Sequence, residues 1–152
     1  MKKLFAIVLT FALLMSLSVT AFAANTTGGD ADITTSIAPT YTVTIPADVK
    51  VAFNATETDF GAIEVAASQI HPDKCIKVAL TTDKELNNAI DNTKVIPYAI
   101  KDSEGAAFTS ATYLTEGDKT ELSIHITAND WNAAYAGDYS DTVTFTVSYE
   151  DK

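Results

Sequence analysis

From Tyr139 to Tyr149 the chain alternates: Tyr139, Val143, Phe145, Val147 and Tyr149 share one parity, and Thr142, Thr144, Thr146 and Ser148 the other. A period of two puts successive side chains on opposite faces of a strand, so one face is apolar and the other hydroxylated. The same pattern recurs upstream. Tyr41, Val43 and Ile45 alternate with Thr40, Thr42 and Thr44 before Pro46, which cannot donate to a ladder and ends the run. Val49, Val51 and Phe53 form a further candidate strand, followed by Ile63 and Val65, then Ile76, Val78 and Leu80. Ile96, Tyr98 and Ile100 continue the series, with Pro97 marking an edge or a bulge, and Leu122, Ile124 and Ile126 add another strand.

Turn chemistry separates these runs. Asp102-Ser103-Glu104-Gly105, Glu116-Gly117-Asp118 and Ala136-Gly137-Asp138 are reversals, and Asn129-Asp130 is a cap for one helical turn carrying Trp131 and Tyr135. Asp83–Lys94 reads as a polar connection in which Glu85, Leu86, Ala89 and Ile90 fit a single helical turn. No long amphipathic helix is present to cover a parallel sheet. The expectation is an all-β fold, an Ig-like antiparallel β-sandwich of about seven or eight strands, with a closed barrel as the structural alternative.

The N-terminus sets the expected compartment. Lys2 and Lys3 precede an apolar run from Leu4 to Val19, and Ala21 and Ala23 stand where a signal peptidase reads small residues. That run is shorter than the ~20 residues a spanning helix needs, so residues 1–23 read as a cleaved secretory signal. Residues 24–38 then form a polar leader with Gly28-Gly29, and residues 39–152 form the sandwich domain. Ile33, Thr35 and Ile37 alternate near the end of that leader. The simpler expectation is that they make the first strand of their own sheet; the alternative is a donor strand for a neighbouring copy.

Cleavage leaves 129 of the 152 residues, with eight lysines, no arginine and 20 acids, a formal charge of −12. Such a surface repels phosphate backbones and anionic lipid, which excludes nucleic acid and the membrane surface as partners. Cys75 is the lone cysteine, so no disulfide forms within the chain, and packing and strand pairing must hold the domain. After Tyr149 only Glu150-Asp151-Lys152 follow, so the reading expects a domain released from the membrane to the exterior or the cell surface.

The stretch from Ala136-Gly137-Asp138-Tyr139 through Thr146-Val147-Ser148-Tyr149 resembles the closing strand of spore coat protein U-type and related fimbrial subunits. Asp59-Phe60-Gly61 and Ile96-Pro97-Tyr98 stand in the order such subunits show. The Tyr41-to-Pro46 strand and the closing strand also resemble small secreted surface proteins of Gram-positive bacteria, including WxL-type domains. The paired cysteines common in coat-U subunits are missing, and no terminal Trp-x-Leu motif is present. The resemblance implies surface structure, adhesion or subunit assembly.

Candidate chemistry is sparse. His71 and Cys75 are separated by Pro72-Asp73, a turn, with no orienting third residue, so no catalytic residue is assigned and the chain is not read as an enzyme. His125 alternates out of the Leu122-Ile124-Ile126 face and has no ligand partner at a telling spacing, so no metal site is assigned. The acidic turns at Asp102-Glu104, Glu116-Asp118 and Asp138-Asp141 offer two oxygens each, against the six to eight calcium requires. No cofactor is expected. Trp131 and Tyr135, with Tyr113, could form a platform for sugar rings; otherwise Trp131 plugs the end of the sandwich while Tyr139 hydrogen-bonds across the corner. The leading expectation is a secreted surface protein, structural or adhesive, that contacts a surface protein or its own copies through sheet edges. The alternative is a module that binds polysaccharide.

Overall fold

The computed structural model describes residues 30–152. The secretory signal, its cleavage residues Ala21 and Ala23, and the leader up to Gly29 lie outside the described residues. Strands β1 (Thr40–Thr44), β2 (Glu57–Gln69), β3 (Lys74–Thr81), β4 (Glu85–Asn88), β5 (Val95–Pro97), β6 (Ala99–Asp102), β7 (Ser110–Tyr113) and β8 (Lys119–His125) precede a single short helix, α1 (Ala128–Ala133). Strands β9 (Tyr139–Ser140) and β10 (Thr144–Asp151) follow it. The fold is all-β and sandwich-like, and every ladder is antiparallel.

A four-stranded sheet in the order β1-β2-β8-β6 packs against a three-stranded sheet in the order β10-β3-β7. Their facing side chains make one core, in which Ile63 and Val65 of β2, Ile76 and Val78 of β3, and Ile96 and Ile126 are wholly enclosed. Burial of each such side chain contributes roughly 1.5–3 kcal/mol, which is how a disulfide-free domain of this size holds together. Of the alternating residues named from the sequence, Val43, Ile63, Val65, Ile76, Val78, Ile96, Tyr98, Ile100, Leu122, Ile124 and Ile126 are buried. Two bulges adjust the register, one at Thr42/Val43 and one at Asp59/Gly61. The second explains the Asp59-Phe60-Gly61 string: the Asp59 carboxylate accepts the Gly61 amide at 2.9 Å, and Gly61 takes a φ of 100°, which only glycine adopts without strain.

Several expectations need correction. Among the described residues there are ten strands in three sheets, because short strands form where the sequence reads as connection or as one long strand. Asp83–Lys94 is no helical turn: Glu85–Asn88 is β4, the centre of a small sheet in the order β5-β4-β9. Asn88 holds this corner, its side-chain oxygen accepting the amides of Ile90 and Asp91. Val49–Phe53 is not a strand; Asn54 turns there with a φ of 63°, and Phe53 projects into solvent. The closing strand is broken at Asp141–Val143, so Tyr139 pairs with Asn88 in the small sheet while Thr144–Asp151 pairs with β3. The break has a polar cause. Asp141 accepts hydrogen bonds from the Tyr98 and Thr82 hydroxyls and from the Thr142 amide, which draws the backbone out of the ladder. Thr127, not Asn129, caps α1, its hydroxyl accepting the Asp130 amide at 3.2 Å.

Candidate functional site

The described part of the leader does not become the first strand of its own sheet. Residues 30–39 join no strand and no helix, and Ile33 and Ile37 are 98% and 62% exposed. No residue from 30 to 39 has a positive φ, so the backbone there does not oppose a β conformation. At its base, Ile37 and Pro39 line a hollow of about 220 Å³ together with Gln69, Ile70, His71 and Pro72 of the β2–β3 turn. The His71 amide donates to the Tyr149 hydroxyl at 2.9 Å, which ties that turn to the end of β10.

Beside the arm, the two main sheets leave a seam. β1 ends one sheet and β10 ends the other, each with a single ladder neighbour, so each carries a row of unpaired backbone groups. No ladder joins them. Aromatic side chains span the seam instead, Tyr41 of β1 stacking on Tyr149 of β10 at 5.8 Å and Phe60 of β2 against Phe145 of β10 at 6.0 Å. Tyr41, Ile45, Phe60, Phe145 and Val147 are only partly buried although they point toward the core. An apolar strip with free backbone edges is the kind of surface that accepts an added strand.

The aromatic trio proposed from the sequence is not assembled. Tyr113 lies on β7 at 3% exposure, opposite Ile76, with its hydroxyl donating to Thr120 at 2.8 Å. Burial raises its pKa above the ordinary tyrosine value. It offers no surface to a sugar. Trp131 is partly buried and its indole Nε1 donates to the Ala55 carbonyl at 2.8 Å, which pins the loop before β2. Tyr139 donates its hydroxyl to the Tyr135 carbonyl at 2.9 Å, the corner bond expected from the Ala-Gly-x-Tyr turn. Tyr135 itself is exposed, with the Lys94 ammonium 5.1 Å from its ring centre. The aromatic that sequence reasoning missed is Phe53, 78% exposed and edge-on to Trp131 at 5.7 Å. Its place in an apparent strand hid it; the Asn54-Ala55 turn that follows was the available signal.

The remaining candidates resolve into structure. Cys75 is buried on β3, its sulfur 3.7 Å from the Asp151 carbonyl, while His71 is exposed in the preceding turn. His125 shares its Nε2 between the Ser123 hydroxyl at 2.9 Å and the Glu57 carboxylate at 4.0 Å. A nucleophile–base–acid relay needs the acid on the other ring nitrogen, so this trio lacks that geometry. The acidic turns use their oxygens internally. Asp118 accepts the Leu114 and Thr115 amides, which hold its carboxyl below the usual range, and Asp102 accepts those of Glu104 and Ala106. Among the described residues no group of three or more His, Cys, Asp or Glu side chains could hold a metal ion. Tyr98, Thr82 and Asp141 form a partly buried polar node. Burial, followed by the bond to Asp141, raises the Tyr98 hydroxyl well above its ordinary pKa. Burial alone would raise Asp141, but the bonds from Tyr98, Thr82 and the Thr142 amide outweigh it and keep the carboxyl ionised to lower pH.

Compared with known proteins, the chain matches no family model and no curated protein.

Proposed function

We propose that this chain is a secreted, surface-associated structural or adhesive protein that works by strand pairing, through its arm and its open sheet edges. One observation carries the reading. The arm at 30–39 is exposed, unpaired and patterned as a strand, with Ile33 and Ile37 in solvent beside the free edge strands β1 and β10. An exposed edge strand favours association, and a domain with no such role covers or charges it. Export, the residue 23 cleavage and the likeness to coat-U and WxL-type surface proteins belong to this proposal. They agree with a strong acidic charge that keeps separate copies soluble until a specific contact forms.

The test begins with expression of the full chain in a secreting bacterium, followed by fractionation and sedimentation. The expected result is a protein outside the cytoplasm, shortened to begin at Ala24, that forms species larger than a monomer as concentration rises. An uncleaved cytoplasmic protein that stays monomeric at high concentration overturns the reading.

Phe53 favours a second reading, polysaccharide binding at the opposite end of the sheets. Its exposed ring beside Trp131 is an apolar face on which a sugar ring can stack. Quenching of the Trp131 fluorescence by a glycan panel, lost in Phe53→Ala, supports that reading; an unresponsive tryptophan removes it.

A further inference from the structure

The strand-pairing reading leaves open which strand the arm meets, and the arm's own pattern answers this. From Ile33 to Ile37 it runs Ile-Thr-Thr-Ser-Ile, almost the same in either direction. We propose that the arm pairs antiparallel with the arm of a second copy of this chain, about a two-fold axis through Thr35. The inference rests on the strand-pairing reading and names its partner.

In this register Ile33 stands opposite Ile37 of the second copy, Thr34 opposite Ser36, and Thr35 opposite itself. Ile33, Thr35 and Ile37 then share a face, because side chains alternate along a strand. The contact is isologous: each copy gives and receives the same groups, so the pair closes at two.

Charge selects this arrangement. A parallel, in-register pair would set Asp30 against Asp30 and Asp32 against Asp32 in a chain that is already strongly acidic. Like charges directly opposite one another destabilise a ladder. The antiparallel register places Asp32 opposite Ala38 and Asp30 opposite Thr40, so no two acids face each other.

The hollow at the arm's base supplies a seat. Ile37 is one of its walls, with Pro39, Gln69, Ile70, His71 and Pro72. Directly opposed residues bring their Cβ atoms to about 4.5–5.5 Å, so an Ile33 opposite Ile37 arrives at the rim of this hollow. The pair contains two such seats, which bury the two isoleucines that are most exposed on the arm. About half of the arm's backbone groups, those on the edge that faces the second copy, acquire partners in the same step.

The full chain, expressed in a secreting host, tests this by cross-linking and by sedimentation. In a Cys75→Ala background, Thr35→Cys is expected to give a disulfide-linked dimer under mild oxidant. Ile33→Cys alone should give little, and Ile33→Cys combined with Ile37→Cys should restore the dimer. In the unaltered background, Ile33→Asp is expected to weaken dimerisation by at least about tenfold while the circular dichroism stays the same. Equal cross-linking at every arm position overturns the register. Growing oligomers that Ile33→Asp abolishes, without a Thr35→Cys dimer, place the arm on a sheet edge; they overturn the arm-to-arm pair and leave strand pairing standing. Monomers throughout overturn both.

Discussion

Along one side of the sandwich the loop between β6 and β7 carries Phe108 into the core, and its backbone bonds to both sheets. The Phe108 amide donates to Ile100 of one sheet, and the Leu80 amide of the other donates to Thr109. Ile100, Phe108 and Tyr113 are all buried there. Along the other side no ladder joins β1 to β10; the ring contacts of Tyr41 with Tyr149 and of Phe60 with Phe145 bridge the gap, and one hydrogen bond, from the His71 amide to the Tyr149 hydroxyl, closes its end. The first seam is closed by a local connection, whereas the segment placed to close the second, the arm, stands away from it. The contrast separates a side built for stability from a side available for contact.

That contrast predicts an ordering of mutational effects. Phe108→Ala is expected to cost about 3–5 kcal/mol in denaturant unfolding, because it empties a fully packed site. Phe60→Ala or Phe145→Ala, at the open seam, should cost roughly 1–2 kcal/mol, since part of each ring already meets water. Equal losses on the two sides would remove the distinction. Gly137→Ala should cost about 1–3 kcal/mol. Gly137 sits at a φ of 150°, and an added Cβ would lie 2.5 Å from the side-chain Nδ2 of Asn88, so the side chain that holds the corner of the small sheet has to shift. Trp131→Phe, which loses the bond to Ala55, should cost about 1 kcal/mol while leaving the two seams alone. Ile33→Asp should change unfolding by less than about 0.5 kcal/mol, because the side chain touches little within its own copy; its effect belongs to association.

Acid gives a further probe of the closed part of the molecule. The Asp141 carboxyl has a lowered pKa in the folded chain, so its contribution is complete above the unfolded carboxylate value and is lost as pH falls through the folded one. Melting temperature should therefore fall below about pH 4, and Asp141→Asn should flatten that limb. An unchanged acid limb in Asp141→Asn would show that the Tyr98–Thr82–Asp141 node does not govern it.

How much of this was legible differs by region. Ile63 and Val65 of β2, Ile76 and Val78 of β3, and Leu122 and Ile124 of β8 were readable because they alternate locally, and so were the turns at Asp102–Gly105 and Glu116–Asp118; the bulge in β2 and the burial of Cys75 beside Ile76 were not. The cut in the closing strand was not. Tyr139 and Phe145 share a parity, and only the remote partners Tyr98 and Thr82 reveal why Asp141 leaves the ladder. Tyr113 was a candidate for the sugar platform, yet it pairs with Ile76 across the ladder and belongs to the same buried cluster as Phe108. Phe53 looked buried because its parity matched a strand that never forms.

The inward residues of the long strands β2, β3, β8 and β10 were legible in the sequence alone, since the alternation of Val, Ile and Phe with Thr and Ser is a property of neighbouring residues. Edge status was decided only by the tertiary structure. β2 finds β8, and β10 finds β3, across long stretches of chain, and an edge is simply a strand for which no second partner arrives. The arm's Ile33 and Ile37 could be read as a strand at once; that they remain in solvent depends on where every other strand had already found its place.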